Sequence, residues 1–271
     1  MIIAIPRHET RTGQGAAAVF RSAEYYVSDE EFIDIRPWPP VELIGQLVSH
    51  VALGRRGLIE TDESGDVFER ETDRFELDAW AKLELTAWMN AEQTAVLATP
   101  LASLSEAQLE TCHDALIVAS TIGWATYIVT LPTLPITTDG GPEGVVLDWA
   151  PGPWTPVRNS VKAIRVRSDE LLATERERWE LLAWRSTLFQ DDESIDVDQR
   201  ALEETIAELV GQSLVETNGQ DFIAARGRPF GALPADDLAQ IAHEAELRLK
   251  TLNWICGFGE SPGAAPLFLE D

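Results

Sequence analysis

The sequence has little cysteine and no long hydrophobic run. Only 2 of its 271 residues are cysteines, Cys112 and Cys256, which are too few for a disulfide framework. No window approaches the roughly 18 consecutive apolar residues that a membrane helix needs, and residues 1–7 lack the basic and apolar segments of a signal peptide. These absences predict a cytoplasmic protein with buried thiols and no membrane span.

Basic residues are also scarce. The chain has 21 Lys and Arg against 46 Asp and Glu, which gives a formal net charge of −25. Such a chain repels DNA, RNA and anionic membranes, so direct binding to nucleic acid or membrane is not expected. Two interpretations of the charge remain. The acids form a surface for a basic protein partner, or they are dispersed for solubility in an acidic proteome, as their scatter along helix faces favours.

Hydrophobic periodicity predicts a mainly α-helical, α+β protein in two parts. Residues 1–72 are predicted to form a small strand–helix–hairpin unit, and residues 73–271 a helical domain. The expected elements of the small unit are strands at 1–5 and 31–36, a helix at 41–53 that ends at the Gly54-Arg-Arg-Gly57 segment, and a hairpin that pairs 58–61 with 67–70.

The helical domain is expected to contain several long amphipathic helices. They are predicted at 75–89, 103–129, 169–189, 198–214 and 234–255. Ser103 and Glu106 have the spacing of a capping box at the start of the second helix. The segment 130–157 is dense in Pro and Gly and predicts a long loop. The helices that begin near Ser105, Asp169 and Pro234 are expected to pack together as the core.

Motifs for catalysis and metal binding are missing. There is no nucleophile elbow, zinc spacing or phosphate-binding loop. Glu110 and His113 have the spacing of a bundle metal site, but the second such motif that the site needs is absent. Adjacent helical residues point about 100° apart, so Cys112 and His113 cannot form a nucleophile–base pair directly. No catalytic residue, metal or cofactor is therefore predicted.

Two arginine-rich turns, 54–57 and 226–228, invite comparison with phosphate-binding sites. Neither has the glycine spacing of a known phosphate loop. In so acidic a chain their arginines are expected to pair with internal carboxylates or with helix C-termini.

The last hundred residues hold a mixture of aromatic anchors and polar donors. The candidate binding residues are Trp184, Arg185, Arg228, Arg248, Asn253 and Trp254. Trp and Arg are over-represented at binding hot spots, so these side chains could line a shared pocket or docking face. The competing interpretation is that the tryptophans pack the core while the polar residues satisfy buried groups.

Three blocks of sequence can be compared with a known family: 101–109 with 122–125 and 131–135, then 166–171 with 183–185, and finally 221–222, 227–230, 233–238 and 248–257. Together they resemble the bacterial domain-of-unknown-function family 4272. The last block is the closest, and the resemblance covers roughly residues 80–260. The usual ending of the family is replaced here by residues 264–271. The resemblance implies a mostly helical bacterial protein and supplies no catalytic or ligand residues.

The leading functional hypothesis is a non-enzymatic interaction factor of the immunity, defence or secretion accessory type. Its acidic surface would meet a basic protein partner. The alternative is a small-molecule-binding protein or an enzyme with a pocket lined by Trp184, Arg185 and Trp254, and an acidic scaffold is a further possibility.

Overall fold

A computed structural model describes residues 35–130, 142–162, 164–189, 195–211, 214–224 and 227–269. This part of the chain contains nine α-helices and short bridges but no extended strand. The helices are α1 (Pro40–Thr61), α2 (Val67–Glu84), α3 (Ala91–Ala98), α4 (Glu106–Ala125), α5 (Pro142–Trp149), α6 (Arg158–Val161), α7 (Asp169–Thr187), α8 (Ile195–Glu208) and α9 (Ala235–Ile255). The prediction of a mainly α-helical protein is confirmed. None of the described helices is long and apolar enough to cross a membrane.

The described residues form two compact units: those from 37 to 168 belong to the first, and residues 35 and 36 together with those from 169 onward belong to the second. The first unit contains α1–α6, and the second contains α7–α9. The boundary predicted after residue 72 falls inside the continuous helix α2. Residues 1–34, which make up almost half of the predicted N-terminal domain, lie outside the described residues, so that domain stays a prediction.

The first unit is built around α1. Its predicted apolar stripe is confirmed, because Leu43, Ile44, Leu47, Val48 and Val51 are all fully buried. The helix packs along α4, and small residues let the two backbones approach closely. A Cβ atom added at Gly57 would lie 2.7 Å from the Cβ of Cys112. This packing is why α1 continues to Thr61 instead of ending at Gly54.

The predicted hairpin over residues 58–70 is wrong. Residues 58–61 form the last turn of α1 and residues 67–70 the first turn of α2. The Asp66 carboxylate caps α2 by accepting the N–H of Phe68 at 2.8 Å. Arg70 donates to the carbonyl oxygens of Ile59 and Glu60 at 2.9 and 2.7 Å, which satisfies the end of α1. The free backbone groups at the end of α1 and at the start of α2 thus find partners in the side chains of Arg70 and Asp66, and strand pairing is not needed.

The predicted strand at 1–5 and residues 31–34 of the second strand lie outside the described residues. Residues 35 and 36 have no regular secondary structure. No strand of the predicted N-terminal unit is therefore seen in the described part of the chain.

Two further boundaries differ from the prediction. Helix α4 begins after Ser105, whose hydroxyl accepts the N–H of Gln108 while the Gln108 side chain accepts the N–H of Ser105. The capping box therefore lies two residues beyond the predicted Ser103. The Pro/Gly-rich segment contains α5. The carbonyl oxygen of residue 147 in α5, and those of residues 150 and 151 just after it, accept hydrogen bonds from the Arg55 guanidinium at 2.6–2.8 Å.

The second unit is organised by α7 and α9, which pack on one another. The predicted stripe of α9 is confirmed at Ile241, Ala245, Leu249, Leu252 and Ile255, which are all buried. That the helices beginning near Ser105, Asp169 and Pro234 form one common core stays a prediction. Helix α4 packs chiefly on α1 in the first unit, whereas α7 and α9 form the core of the second.

Candidate functional site

Arg185, a predicted binding residue, lies in the interior of the second unit. Its guanidinium donates to both carboxylate oxygens of Asp221, at 2.7 and 3.0 Å. Asp221 also accepts the N–H of Gly231 at 2.7 Å. Burial would raise the pKa of Asp221, but the Arg185 guanidinium and the backbone N–H groups hold it below its ordinary value. The pair therefore ties α7 to the segment that carries the Gly-Arg-Pro-Phe turn.

Arg248 and Asn253 are also buried and also have internal partners. Arg248 donates to Glu244 one turn earlier at 2.6 Å and lies 5.2 Å from the ring centre of Trp179. Asn253 accepts from the Arg176 guanidinium at 2.6 Å and donates to the carbonyl oxygens of residues 266 and 267 at 2.8 and 3.0 Å. These contacts connect α7, α9 and the C-terminal segment.

The two tryptophans of the predicted site are core residues, and Arg228 is not. Trp184 and Trp254 are buried, and the Trp184 ring packs at a tilt against Phe222. Arg228 is about half exposed and faces Asp237 at 3.6 Å. Five of the six residues thus lie in the interior of the second unit, as the packing interpretation expects. That they also bind a ligand stays a prediction.

The residues considered for catalysis or metal binding are either buried or scattered. Both cysteines are free and buried, and burial raises the pKa of Cys112 to about 11 and that of Cys256 to about 12. The prediction of buried thiols is confirmed, and neither is poised as a thiolate nucleophile. Glu110 and His113 are exposed. Within the described ranges no cluster of three His, Cys, Asp or Glu side chains could hold a metal ion.

A groove that sequence reasoning missed lies in the first unit. Its volume is about 270 Å³. Its walls contain apolar side chains from α1, α2 and the segment after α5, which are Leu58, Ile59, Leu77 and Pro153. The charged side chains that line it are Arg55, Asp73 and Glu76. It was missed because the hairpin interpretation assigned residues 58–61 to a strand, so they were not expected to lie on a helix beside residues 73–77.

The net charge of the groove is negative because two carboxylates and one cation, Arg55, line it. Arg55 donates three hydrogen bonds to carbonyl groups at the C-terminal end of α5. Within the described part of the chain, neither Asp73 nor Glu76 makes a hydrogen bond or ion pair through its carboxylate. Two unpaired carboxylates therefore border an apolar floor.

Other cations of the first unit are engaged in the same way. The fully buried Arg56 pairs with Glu60 at 2.8 Å and donates to the Thr99 carbonyl at 3.1 Å. Arg167 donates to the Trp124 carbonyl at 2.6 Å and stacks on the Trp124 ring. The prediction that Arg55 and Arg56 pair with a helix C-terminus and a carboxylate is confirmed. Such internal pairing leaves much of the net negative charge at the surface.

No family model, curated protein or solved structure matches this chain. The resemblance to domain-of-unknown-function family 4272 therefore stays a prediction.

Proposed function

We propose that this chain is a non-enzymatic interaction protein whose first unit binds a basic protein partner. An immunity, defence or secretion accessory factor has this character. The observation that supports the proposal is the apolar groove bordered by the unpaired carboxylates of Asp73 and Glu76.

The groove has the chemistry that a lysine or arginine side chain requires. The aliphatic stem of such a side chain would pack on Leu58, Leu77 and Pro153, and its charged end would pair with Asp73 or Glu76. Neither carboxylate has to leave an existing ion pair before it binds the incoming cation. A net charge of −25 would steer a basic partner to the surface, and the association would weaken as salt rises.

The alternative, a pocket lined by Trp184, Arg185 and Trp254, gains no support from the contacts of these residues. Arg185 is held by Asp221, and a ligand anion would have to displace that carboxylate. Removing one member of a buried pair is costly because the other charge is left unpaired.

The proposal is tested by affinity purification from the native host at about 0.05 M and about 0.5 M NaCl, a range over which charge screening becomes strong. The wild-type chain should recover a basic protein at low salt and lose it at high salt. The variant Asp73→Asn/Glu76→Gln should not recover it. The variant Glu203→Gln/Glu204→Gln removes two exposed charges from α8 and should behave as the wild type.

The proposal fails if no basic protein is recovered in a salt-dependent manner. It also fails if both double variants weaken recovery equally, because the effect would then depend on total charge and not on the groove.

A further inference from the structure

The outward face of α2 carries an uncovered apolar stripe. Phe68, Phe75 and Leu83 have exposed fractions of 80%, 60% and 74%, and their spacings of seven and eight residues place them on one side of the helix. The opposite side buries Leu77 and Trp80 against the first unit. A helix that is apolar on two faces has one face available for a partner. We call Phe68, Phe75 and Leu83 the outer stripe.

An acidic row runs beside the outer stripe. Glu69, Asp73 and Glu76 are four and three residues apart, so they share one flank of α2. None of them has an ion-pair partner among the described residues.

The basic residues of α2 do not offset this row. Arg70 donates to carbonyl groups at the end of α1, Arg74 pairs with Glu71, and Lys82 pairs with Asp78. The flank next to the outer stripe therefore keeps its negative charge.

We infer that the outer stripe is the docking site for a basic amphipathic helix of the partner, an inference that rests on the proposed function. The apolar residues of that helix cover Phe68, Phe75 and Leu83, and its Lys or Arg residues at three- and four-residue spacing meet Glu69, Asp73 and Glu76. The stripe is about 22 Å long, which corresponds to a partner helix of about four turns.

Charge complementarity selects this occupant over a second copy of the chain. In a twofold dimer across α2 both acidic rows would border the interface, and an antiparallel pairing of the two helices would bring these like charges side by side. An anionic membrane surface is disfavoured for the same reason.

The test uses a synthetic helical peptide of about 16 leucine and lysine residues in amphipathic order, matched to the length of the stripe. A peptide of the same composition in scrambled order controls for attraction between opposite charges alone. The stripe variant is Phe68→Ser/Phe75→Ser. The control Val210→Ser removes an equally exposed apolar side chain, 79% exposed, from the second unit. Because all these side chains are exposed, the melting temperature should be unchanged in each variant.

The ordered peptide should bind the wild type and Val210→Ser at least about tenfold more tightly than the stripe variant, a loss typical of hot-spot residues. The scrambled peptide should bind all three chains weakly and to a similar extent. The variant Asp73→Asn/Glu76→Gln should bind the ordered peptide more weakly than the wild type does, and this binding should depend less on salt.

Two results would overturn the inference alone, and a third would overturn the proposed function on which it rests. If the stripe variant binds the ordered peptide as the wild type does, the helix does not dock there, and the proposed function stands as long as the charge variant still weakens binding. If light scattering shows a wild-type dimer that becomes monomeric in the stripe variant, the occupant is a second copy. If the charge variant has no effect on any basic partner, the proposed function itself fails.

Discussion

Arg185 and Arg228 are both candidate binding residues, but they differ in burial. Their substitution should therefore affect stability to different extents. Arg185 is a buried member of a two-bond pair with Asp221, whereas Arg228 is about half exposed and lies 3.6 Å from Asp237. Breaking a buried pair leaves an uncompensated charge, but an exposed pair is weakened by solvent.

Arg185→Met should therefore lower the free energy of unfolding by about 3–5 kcal/mol, because the Asp221 carboxylate would remain buried without its cation. Arg228→Met should change it by no more than about 0.5 kcal/mol. Urea unfolding of both variants measures the difference. If Arg185→Met costs no more than Arg228→Met, the pair contributes little and Arg185 is available for a ligand after all.

Glu177 makes the stability of the second unit depend on pH. Burial, followed by the nearby charge of Glu180, raises its pKa to about 7 from an ordinary value of 4.5. A raised carboxyl pKa means that the folded state favours the protonated form. The contribution of Glu177 is fully present below the ordinary value and is lost as pH rises from about 4.5 to about 7.

Glu177→Gln should consequently raise the free energy of unfolding at pH 8 by up to about 3 kcal/mol and change it little at pH 4. Chemical unfolding of the two chains across this range measures the effect. An unchanged difference between wild type and variant at all pH values would show that the Glu177 pKa is not raised in the folded state.

Sequence reasoning found the residue types of the second unit but not their partners. Trp184, Arg185 and Asn253 could be selected because large aromatic and polar residues on amphipathic helices have a restricted range of roles. Their partners could not be selected, since Asp221 lies 36 residues from Arg185 and Arg176 lies 77 residues from Asn253. The groove was missed for a different reason, because it needs α1 and α2 side by side.

At the scale of elements, the contact between α1 and α4 depends on glycine. Gly57 faces Cys112, and an added Cβ would come within 2.7 Å of the Cys112 Cβ. Since both atoms are fixed to helical backbones, the helices would have to move apart.

Gly57→Ala should lower the free energy of unfolding by about 1–3 kcal/mol, the usual cost of overpacking, despite the better helix propensity of alanine. Gly144→Ala is the matched control, because apart from its chain neighbours and the backbone of α5 itself no atom lies within 4 Å of the position of its added Cβ. It should stabilise the chain by up to about 1 kcal/mol. Thermal unfolding distinguishes the two, and equal effects in the same direction would contradict the proposed close approach.

The fold could be predicted where the hydrophobic periodicity was sustained. The prediction failed where a glycine could either end a helix or allow close packing inside one. Helix α9 was predicted well because Ile241, Ala245, Leu249 and Leu252 keep one face over three turns. Gly54 and Gly57 predicted a helix end. In the structure both lie inside α1, where the missing side chains allow close packing against α4. The error propagated, since ending α1 early left residues 58–61 to be assigned to a strand.

At the scale of the whole molecule, some ion pairs are buried, whereas others, such as Lys250–Glu246, are partly exposed. Ion pairs such as Arg56–Glu60 and Arg248–Glu244 have side chains that are at most 6% exposed. Much of the excess acid lies on exposed helix faces, as Asp73, Glu203 and Glu204 show. Salt screens exposed charges more strongly than buried ones, so added salt should relieve repulsion more than it weakens attraction.

The melting temperature should therefore rise with NaCl, steeply below about 0.1 M and little above it, because the Debye length falls from about 30 Å at 0.01 M to about 10 Å at 0.1 M. The net charge of −25 supplies the repulsion that is screened. Sucrose, which stabilises by exclusion from the surface, serves as an uncharged control and should give a gradual rise without this early saturation. Calorimetric scans in both series measure the two curves. A melting temperature that falls with the first additions of NaCl would mean that exposed ion pairs outweigh the repulsion, and the acidic surface would then not be the dominant electrostatic feature of the folded chain.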